Sequence, residues 1–222
     1  MKWLVLLLGL GFLSVSHGQN ALGEKKPRLL VKLLAVVVPE NLGQVYLLSG
    51  DAKTAAFDLP ANNVSDAQAV SQRSITLHTI NKDLPICSIS LPEGGNEFII
   101  VLSPTKPSGY RSIVVRTDDP GFRRGDVFFL NLTTKTVLGK LGTRPLVLES
   151  GKSAMNRADG PKEKGYYDIA FATRQENEDR LFSSSRWPID DQIRSYLFFL
   201  EDPTGRITYR AVDEFLPAEK KQ

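Results

Sequence analysis

The stretch Glu97-Phe98-Ile99-Ile100-Val101-Leu102-Ser103-Pro104 decides the fold, because its pattern returns as Ser195-Tyr196-Leu197-Phe198-Phe199-Leu200-Glu201-Asp202-Pro203. Each run is apolar at five consecutive positions and rich in β-branched or aromatic residues, which favour strands. A short run that is apolar on both faces is typical of a central strand with protein on each side. We therefore interpret both segments as central strands and align the rest of the chain on them.

The segments around these runs recur in the same order, at an offset of roughly 92 to 98 positions, as expected when a unit of domain size is duplicated. Few residues are identical between the two copies, so what is duplicated is the order of the segments and not the sequence itself. The matching segments of the first copy are residues 33–38, 44–48, 56–59, 73–80 and 110–119, and those of the second are residues 127–130, 136–141, 146–149, 165–173 and 206–214.

Other strands alternate apolar and polar residues and are separated by turn sequences. Tyr167, Ile169 and Phe171 mark one such strand, in which one face is buried and the other is wet. Glycine, proline and aspartate supply the turns, for example at 92–96 and 118–121. This spacing predicts an all-β chain of two tandem immunoglobulin-like antiparallel β-sandwich modules. One larger β-sandwich with an internal pseudo-repeat is the alternative.

The predicted division of the chain follows from the two copies and from the composition between them. Turn formers and two arginines separate the copies, so we place a connector there. The predicted segments are a signal peptide 1–18, a flexible basic arm 19–31, module 1 at 32–119, a connector 120–125, module 2 at 126–215 and a tail 216–222.

The first residues predict the compartment. Met1-Lys2 is a positive start, residues 3–15 are apolar, and Ser16-His17-Gly18 has the small residues that signal peptidase requires. We predict cleavage after Gly18 and a secreted or periplasmic protein. The apolar run is shorter than the roughly 20 residues of a membrane span, so no stable span is expected after cleavage, although retention of the segment is the alternative.

Few side chains of the mature chain suit nucleophilic or metal chemistry. It would keep one cysteine, Cys87, and one histidine, His78. One of each cannot form a zinc site of the usual kind, and a serine triad would have to use His78 on the polar face of its strand. A single cysteine excludes internal disulfides, which favours a bacterial envelope setting. We predict no enzyme activity, no catalytic residue, no metal and no cofactor.

Charge does not point to nucleic acid. The first copy has 6 Lys and Arg against 9 Asp and Glu, and the second has 13 against 14. The basic surplus lies in the arm, the connector and the tail, whereas nucleic-acid binding needs a basic stripe on a folded surface. We therefore expect no nucleic-acid partner.

Three pairs of neighbouring acids suggest carbohydrate chemistry, but each lies beside a turn. They are Asp118-Asp119, Asp190-Asp191 and Glu201-Asp202. Hydrolysis of a glycosidic bond requires two carboxyls facing each other across a cleft. Neighbours in a strand point to opposite faces, and acids commonly cap turns, so the turn interpretation is favoured for all three.

The most distinctive local sequence is Ser183-Ser184-Ser185-Arg186-Trp187-Pro188. A tryptophan between arginine and proline suits stacking on a sugar or a peptide, although core packing is the commoner role of a large aromatic. Arginines nearby in the second copy suit an anionic group or pairing with acids across strands. The candidate ligand-binding residues are Arg186, Trp187, Arg194, Arg206 and Arg210.

Several of these strings together resemble a group of secreted bacterial proteins of unknown function. The resemblance rests on residues 57–63, 139–142, 165–168, 184–188 and 210–215, and so covers most of the mature chain. It implies an envelope β-sandwich protein and transfers no catalytic residue.

The sequence thus predicts a secreted or periplasmic, non-enzymatic β-sandwich protein that serves as a binding or structural module. A cell-envelope polysaccharide or protein is the expected partner. The alternative is a carboxylate-dependent carbohydrate-active enzyme, in which two acids from separate strands converge in a cleft.

Overall fold

The computed structural model describes residues 28–105, 109–159, 165–175 and 178–218. The predicted signal peptide lies outside these ranges, as do residues 19–27 of the basic arm and residues 219–222 of the tail. Within them the chain forms strands and no helix, which confirms the predicted all-β class. Accordingly, no described segment is a helix of the length and apolarity that a membrane span requires.

The first half of the described chain contains eight strands, and the second half contains eight more. The first half consists of β1 (Leu29–Ala35), β2 (Val45–Ser49), β3 (Ala52–Lys53), β4 (Gln68–Val70), β5 (Ser74–Thr79), β6 (Pro85–Ser90), β7 (Glu97–Pro104) and β8 (Tyr110–Arg116). The second half consists of β9 (Asp126–Asn131), β10 (Val137–Leu141), β11 (Arg144–Leu148), β12 (Ser153–Arg157), β13 (Tyr166–Gln175), β14 (Glu178–Pro188), β15 (Ile193–Glu201) and β16 (Ile207–Phe215).

These strands form four sheets of four strands each. Sheet A has the order β4-β1-β7-β8 and sheet B the order β3-β2-β5-β6, whereas sheet C has the order β12-β9-β15-β16 and sheet D the order β11-β10-β13-β14. Adding eight to every strand number of sheets A and B gives sheets C and D. The one parallel pairing of each half is also equivalent, because β1 pairs with β7 as β9 pairs with β15. The two halves therefore share one topology.

Each half is a sandwich with its own apolar core. Sheets A and B enclose a cluster that includes Leu33, Leu77 and Ile100, all fully buried. Sheets C and D enclose another, in which the rings of Phe171 and Phe199 meet edge to face at 4.8 Å. Both clusters come from alternate residues of their strands, as the period of two predicts.

A third core joins the two halves, because sheets A and C also pack against each other. Ile99 and Val101 of β7 meet Tyr196 and Phe198 of β15 there, and all four are fully buried. The layers thus follow the order B, A, C, D. This order explains the fully apolar runs, since β7 and β15 lie in inner layers and are covered on both faces.

The segment between the halves contributes to this middle core. Phe122, in the predicted connector, is almost fully buried and lies edge-on to the ring of Tyr196 at 6.0 Å. At the other end, β1 begins at Leu29, inside the range expected for the basic arm. Residues 29–31 pair with β4 in sheet A and so belong to the folded first half.

Candidate binding pocket in the second half

A pocket of about 400 Å³ lies at one end of the second sandwich, between sheets C and D. The ends of β13, β15 and β16 form its walls, and the segment that follows β14 contributes residues 189–191. Its volume falls in the range of cavities that hold small ligands. We refer to it as the Trp187 pocket.

Aromatic side chains form one side of the pocket. Trp187 of β14 is half-buried, and its ring lies 6.5 Å from that of Tyr167 and 6.2 Å from that of Tyr209. Tyr167 faces Trp187 directly across the β13–β14 pair. The packing of Trp187 on the second core fixes its ring, while its remaining surface faces the pocket.

Carboxylates from separate elements converge on the same pocket. Asp159 follows β12, Asp191 follows β14, and Asp213 lies within β16, next to Ala211 in the lining. Ser195 of β15 donates its hydroxyl hydrogen to Asp213 Oδ1 at 2.6 Å, which fixes that carboxylate. The pocket lining therefore holds acids contributed by three parts of the chain.

The charge of the lining is negative. Asp190 also lines the pocket, which makes four aspartates against two arginines, Arg144 and Arg157. Arg157 Nε lies 2.6 Å from Asp126 Oδ1, outside the lining, so its charge is already matched. Burial, followed by the charge of Asp213, raises the pKa of Tyr167 to about 12, so that this phenol stays protonated at neutral pH.

The backbone next to Asp159 depends on a glycine. Gly142 has a φ of +59°, and a Cβ atom there would lie 1.7 Å from the carbonyl oxygen of Asp159. The approach is held by hydrogen bonds from Gly142 N to Asp168 O at 2.7 Å and from Thr143 N to Asp159 O at 2.9 Å. Only a residue without a side chain permits this contact, which places Asp159 at the pocket.

The structure separates the two neighbours Arg186 and Trp187. Because alternate residues of β14 point to opposite faces, Arg186 lies on the outer face of sheet D. Its Nε is 3.2 Å from Asp168 Oδ1, and its guanidinium lies 5.1 Å from the ring centre of Tyr166. Arg186 therefore does not line the Trp187 pocket.

The other predicted arginines also lie elsewhere. The guanidinium of Arg194 packs over the ring of Phe122 at 4.8 Å, beside a separate depression. Arg210 donates from Nη2 to the carbonyl oxygen of Ala35 at 3.0 Å and so connects sheets C and A. Arg206 is exposed at the turn before β16 and lines a groove between β14 and β16. Of the five candidate residues, only Trp187 lines the pocket.

Hydrogen bonds explain one acid of each of the three pairs as a turn residue. Asp119 Oδ1 accepts from Gly121 N at 2.7 Å, Asp190 Oδ1 from Gln192 N at 2.7 Å, and Asp202 Oδ1 from Thr204 N at 2.8 Å. The turn interpretation is confirmed for these residues. Sequence reasoning missed Asp159 and Asp213, because neither belongs to the three acid pairs that were singled out beside turns. The alternation Tyr209, Ala211, Asp213 along β16 was the signal that could have placed Asp213 on the pocket face.

The sequence placed His78 on the polar face of its strand, and the structure shows that several side chains there contact its ring. Its Nε2 is 2.9 Å from Thr76 Oγ1, its Nδ1 is 3.4 Å from Asp83 Oδ1, and its ring stacks on Tyr46 at 5.2 Å. Asp83 has a φ of +49°, unusual for a residue other than glycine. The order hydroxyl, imidazole, carboxylate is that of a catalytic triad, but none of these residues lines any of the main cavities of the described ranges.

Two comparisons with known proteins give no match: no protein-family model fits the chain, and no curated protein is similar to it. The resemblance to secreted bacterial proteins therefore stays a prediction. Within the described ranges, no three His, Cys, Asp or Glu side chains are grouped as metal ligands. The carboxylates of the Trp187 pocket thus do not form such a group.

Proposed function

We propose that this protein is a secreted or periplasmic binding module whose second half binds a saccharide in the Trp187 pocket. One observation carries the proposal: a half-buried tryptophan and carboxylates from three elements line the same cavity. The first half, which shares the topology, serves as a scaffold in this proposal. The same proposal includes an immunoglobulin-like architecture for both sandwiches and, from the predicted partners, a cell-envelope polysaccharide as the ligand.

The chemistry of the lining suits a saccharide. The face of an indole ring packs on the apolar face of a sugar, and the fixed orientation of Trp187 reduces the entropy that binding costs. Carboxylates such as those of Asp191 and Asp213 accept hydrogen bonds from sugar hydroxyls. The negative lining favours a neutral or positively charged saccharide over an anionic one, because like charges repel.

Binding of neutral oligosaccharides is the direct test. Calorimetric titration with cello-, malto- and chito-oligosaccharides should identify a ligand, and Trp187→Ala should weaken its binding at least tenfold, since an anchoring aromatic contributes about 2 kcal/mol or more. Tyr166→Ala is the matched control, because Tyr166 lies on the same pair of strands but is absent from the pocket lining. Equal loss in both variants would contradict the proposal.

A carboxylate-dependent carbohydrate-active enzyme is the second candidate, and one observation favours it. Asp191 and Asp213 come from different elements and line one cleft, as acid–base chemistry on a glycosidic bond requires. Release of reducing ends from the bound oligosaccharide should then be lost in Asp213→Asn or Asp191→Asn while binding persists. No release from any oligosaccharide that binds would remove this candidate.

A further inference from the structure

The duplication reveals one difference between the halves at their equivalent edges. In the first half, β6 and β8 touch: the hydroxyl of Ser112 donates to the carbonyl oxygen of Ser88 at 3.2 Å. In the second half, the equivalent strands β14 and β16 stand on either side of a groove of about 610 Å³. A depression of about 640 Å³ also lies along β6 and β8 of the first half, but its lining holds one acid, Glu93, and no base. We name the groove between β14 and β16 the lateral groove.

Cationic side chains from three elements line the lateral groove. Lys135 comes from the β9–β10 connection, Arg180 from β14 and Arg206 from the turn before β16, and the lining contains no carboxylate. Arg180 and Arg206 are both exposed to solvent. Three bases facing one cavity favour an anionic ligand. A guanidinium group in particular can donate two parallel hydrogen bonds to two oxygens of one carboxylate or sulfate group.

The acids nearest to the groove are already engaged. Glu201 accepts from Thr134 N at 2.9 Å and lies 3.6 Å from Lys135 Nζ, so it matches the lysine. The hydroxyl of Thr204 holds the pKa of Asp202 below its usual range, with a smaller contribution from the charge of Arg206. Asp179 pairs with Arg174 at 3.1 Å. Within the described ranges, Arg180 forms no ion pair, which leaves its charge for a ligand.

The rest of the lining suits a saccharide better than a bare ion. Hydroxyl groups and aromatic rings surround the bases, and hydroxyls both donate to and accept from sugar hydroxyls. Tyr209 lines the groove, and its ring is 6.2 Å from that of Trp187, so the groove lies next to the Trp187 pocket. The hydroxyl and aromatic residues of the groove are Thr173, Phe182, Ser183, Thr204, Thr208 and Tyr209.

We propose that the lateral groove is a second binding site, which takes an acidic saccharide through contacts of its carboxylate or sulfate group with Arg180 and Arg206. This site differs in charge from the Trp187 pocket, where aspartates predominate. The two sites therefore select different ligands, and either can exist without the other.

Titration of the protein from residue 19 to residue 222 with trigalacturonate tests the proposal. We expect binding that weakens as salt rises from 20 to 300 mM, because salt screens exposed charges. The double variant Arg180→Gln/Arg206→Gln should weaken this binding at least tenfold and leave the binding of neutral oligosaccharides unchanged. Both arginines are exposed, so thermal melting should show a native fold in the variant.

A matched control and two further ligands make the outcome decisive. Arg111→Gln removes an exposed arginine from β8, the strand equivalent to β16, and should leave binding unchanged. Neutral maltotriose and inorganic sulfate should not compete with trigalacturonate at equal concentration. The proposal is wrong if trigalacturonate does not bind at 20 mM salt, if Arg111→Gln weakens it equally, or if a hexaglutamate peptide binds as tightly. Failure of Trp187→Ala to affect neutral oligosaccharides would overturn the proposed function and leave this site standing.

Discussion

At the scale of the residue, the pocket depends on the alternation of side chains along each strand, which places neighbouring residues on opposite faces of the sheet. Trp187 faces the pocket, whereas its neighbour Arg186 faces solvent. The sequence singled out Trp187 as a candidate ligand-binding residue, but it grouped Trp187 with arginines that do not line the same pocket. Asp213 went unnoticed, because only the pairing of β15 with β16 brings it to Ser195.

Gly142 gives the first prediction at this scale. Gly142→Ala forces a side chain against the carbonyl oxygen of Asp159, so we expect a loss of about 3 kcal/mol or more in the free energy of unfolding by urea. Gly151→Ala is the matched control. Gly151 has a similar φ of +72° but nothing within 4 Å of the added Cβ, so its loss should be about 1 kcal/mol. Equal losses would mean that the close approach to Asp159 has no importance.

At the scale of the element, β15 and β16 serve the middle core on one face and the Trp187 pocket on the other. Tyr196 and Glu214 face the middle core: the hydroxyl of Tyr196 donates to Glu214 Oε2 at 2.8 Å, and Lys32 Nζ lies 2.7 Å from Glu214 Oε1. Burial raises the pKa of Tyr196, which keeps this phenol a donor. Ser195 and Asp213, on the opposite face, line the pocket.

Tyr196→Phe tests the role of this buried contact. The substitution leaves one oxygen of the nearly buried Glu214 without its donor, so we expect a loss of about 1–3 kcal/mol in the free energy of unfolding. Tyr209→Phe makes the same chemical change on the pocket side of β16 and should cost less than about 0.5 kcal/mol. A Tyr196→Phe variant as stable as the Tyr209→Phe variant would contradict the assignment.

At the scale of the whole molecule, the sequence predicted the duplication and most strand positions, but not how the halves meet. The predicted segments 97–104 and 44–48 correspond closely to β7 and β2. The fully apolar run of β7 indicated cover on both faces, yet periodicity cannot say which sheet provides it. The packing of sheet A on sheet C, with Phe122 between them, depends on contacts more than 60 residues apart in the chain, such as that of the Phe122 ring with the Tyr196 ring.

Because sheets A and C share the middle core, we expect the two halves to unfold together. Phe198 and Phe199 are both fully buried neighbours on β15, but Phe198 faces the middle core and Phe199 faces the second core. Each change to alanine should cost about 3–5 kcal/mol. If the halves unfold as one unit, hydrogen exchange should then increase in β7 for Phe199→Ala as well as for Phe198→Ala, although only Phe198 belongs to the middle core. An increase confined to the second half in both variants would show that the halves are independent.

The central claim is that ligand binding resides in the second half, at the Trp187 pocket. The most direct measurement is an NMR titration of isotope-labelled protein with the neutral oligosaccharide that binds in calorimetry. We predict that the indole N–H signal of Trp187 and the amide signal of Gly125 shift, while signals of β2 and β5 stay in place. Shifts confined to the first half, or an unmoved Trp187 signal at saturation, would contradict the claim.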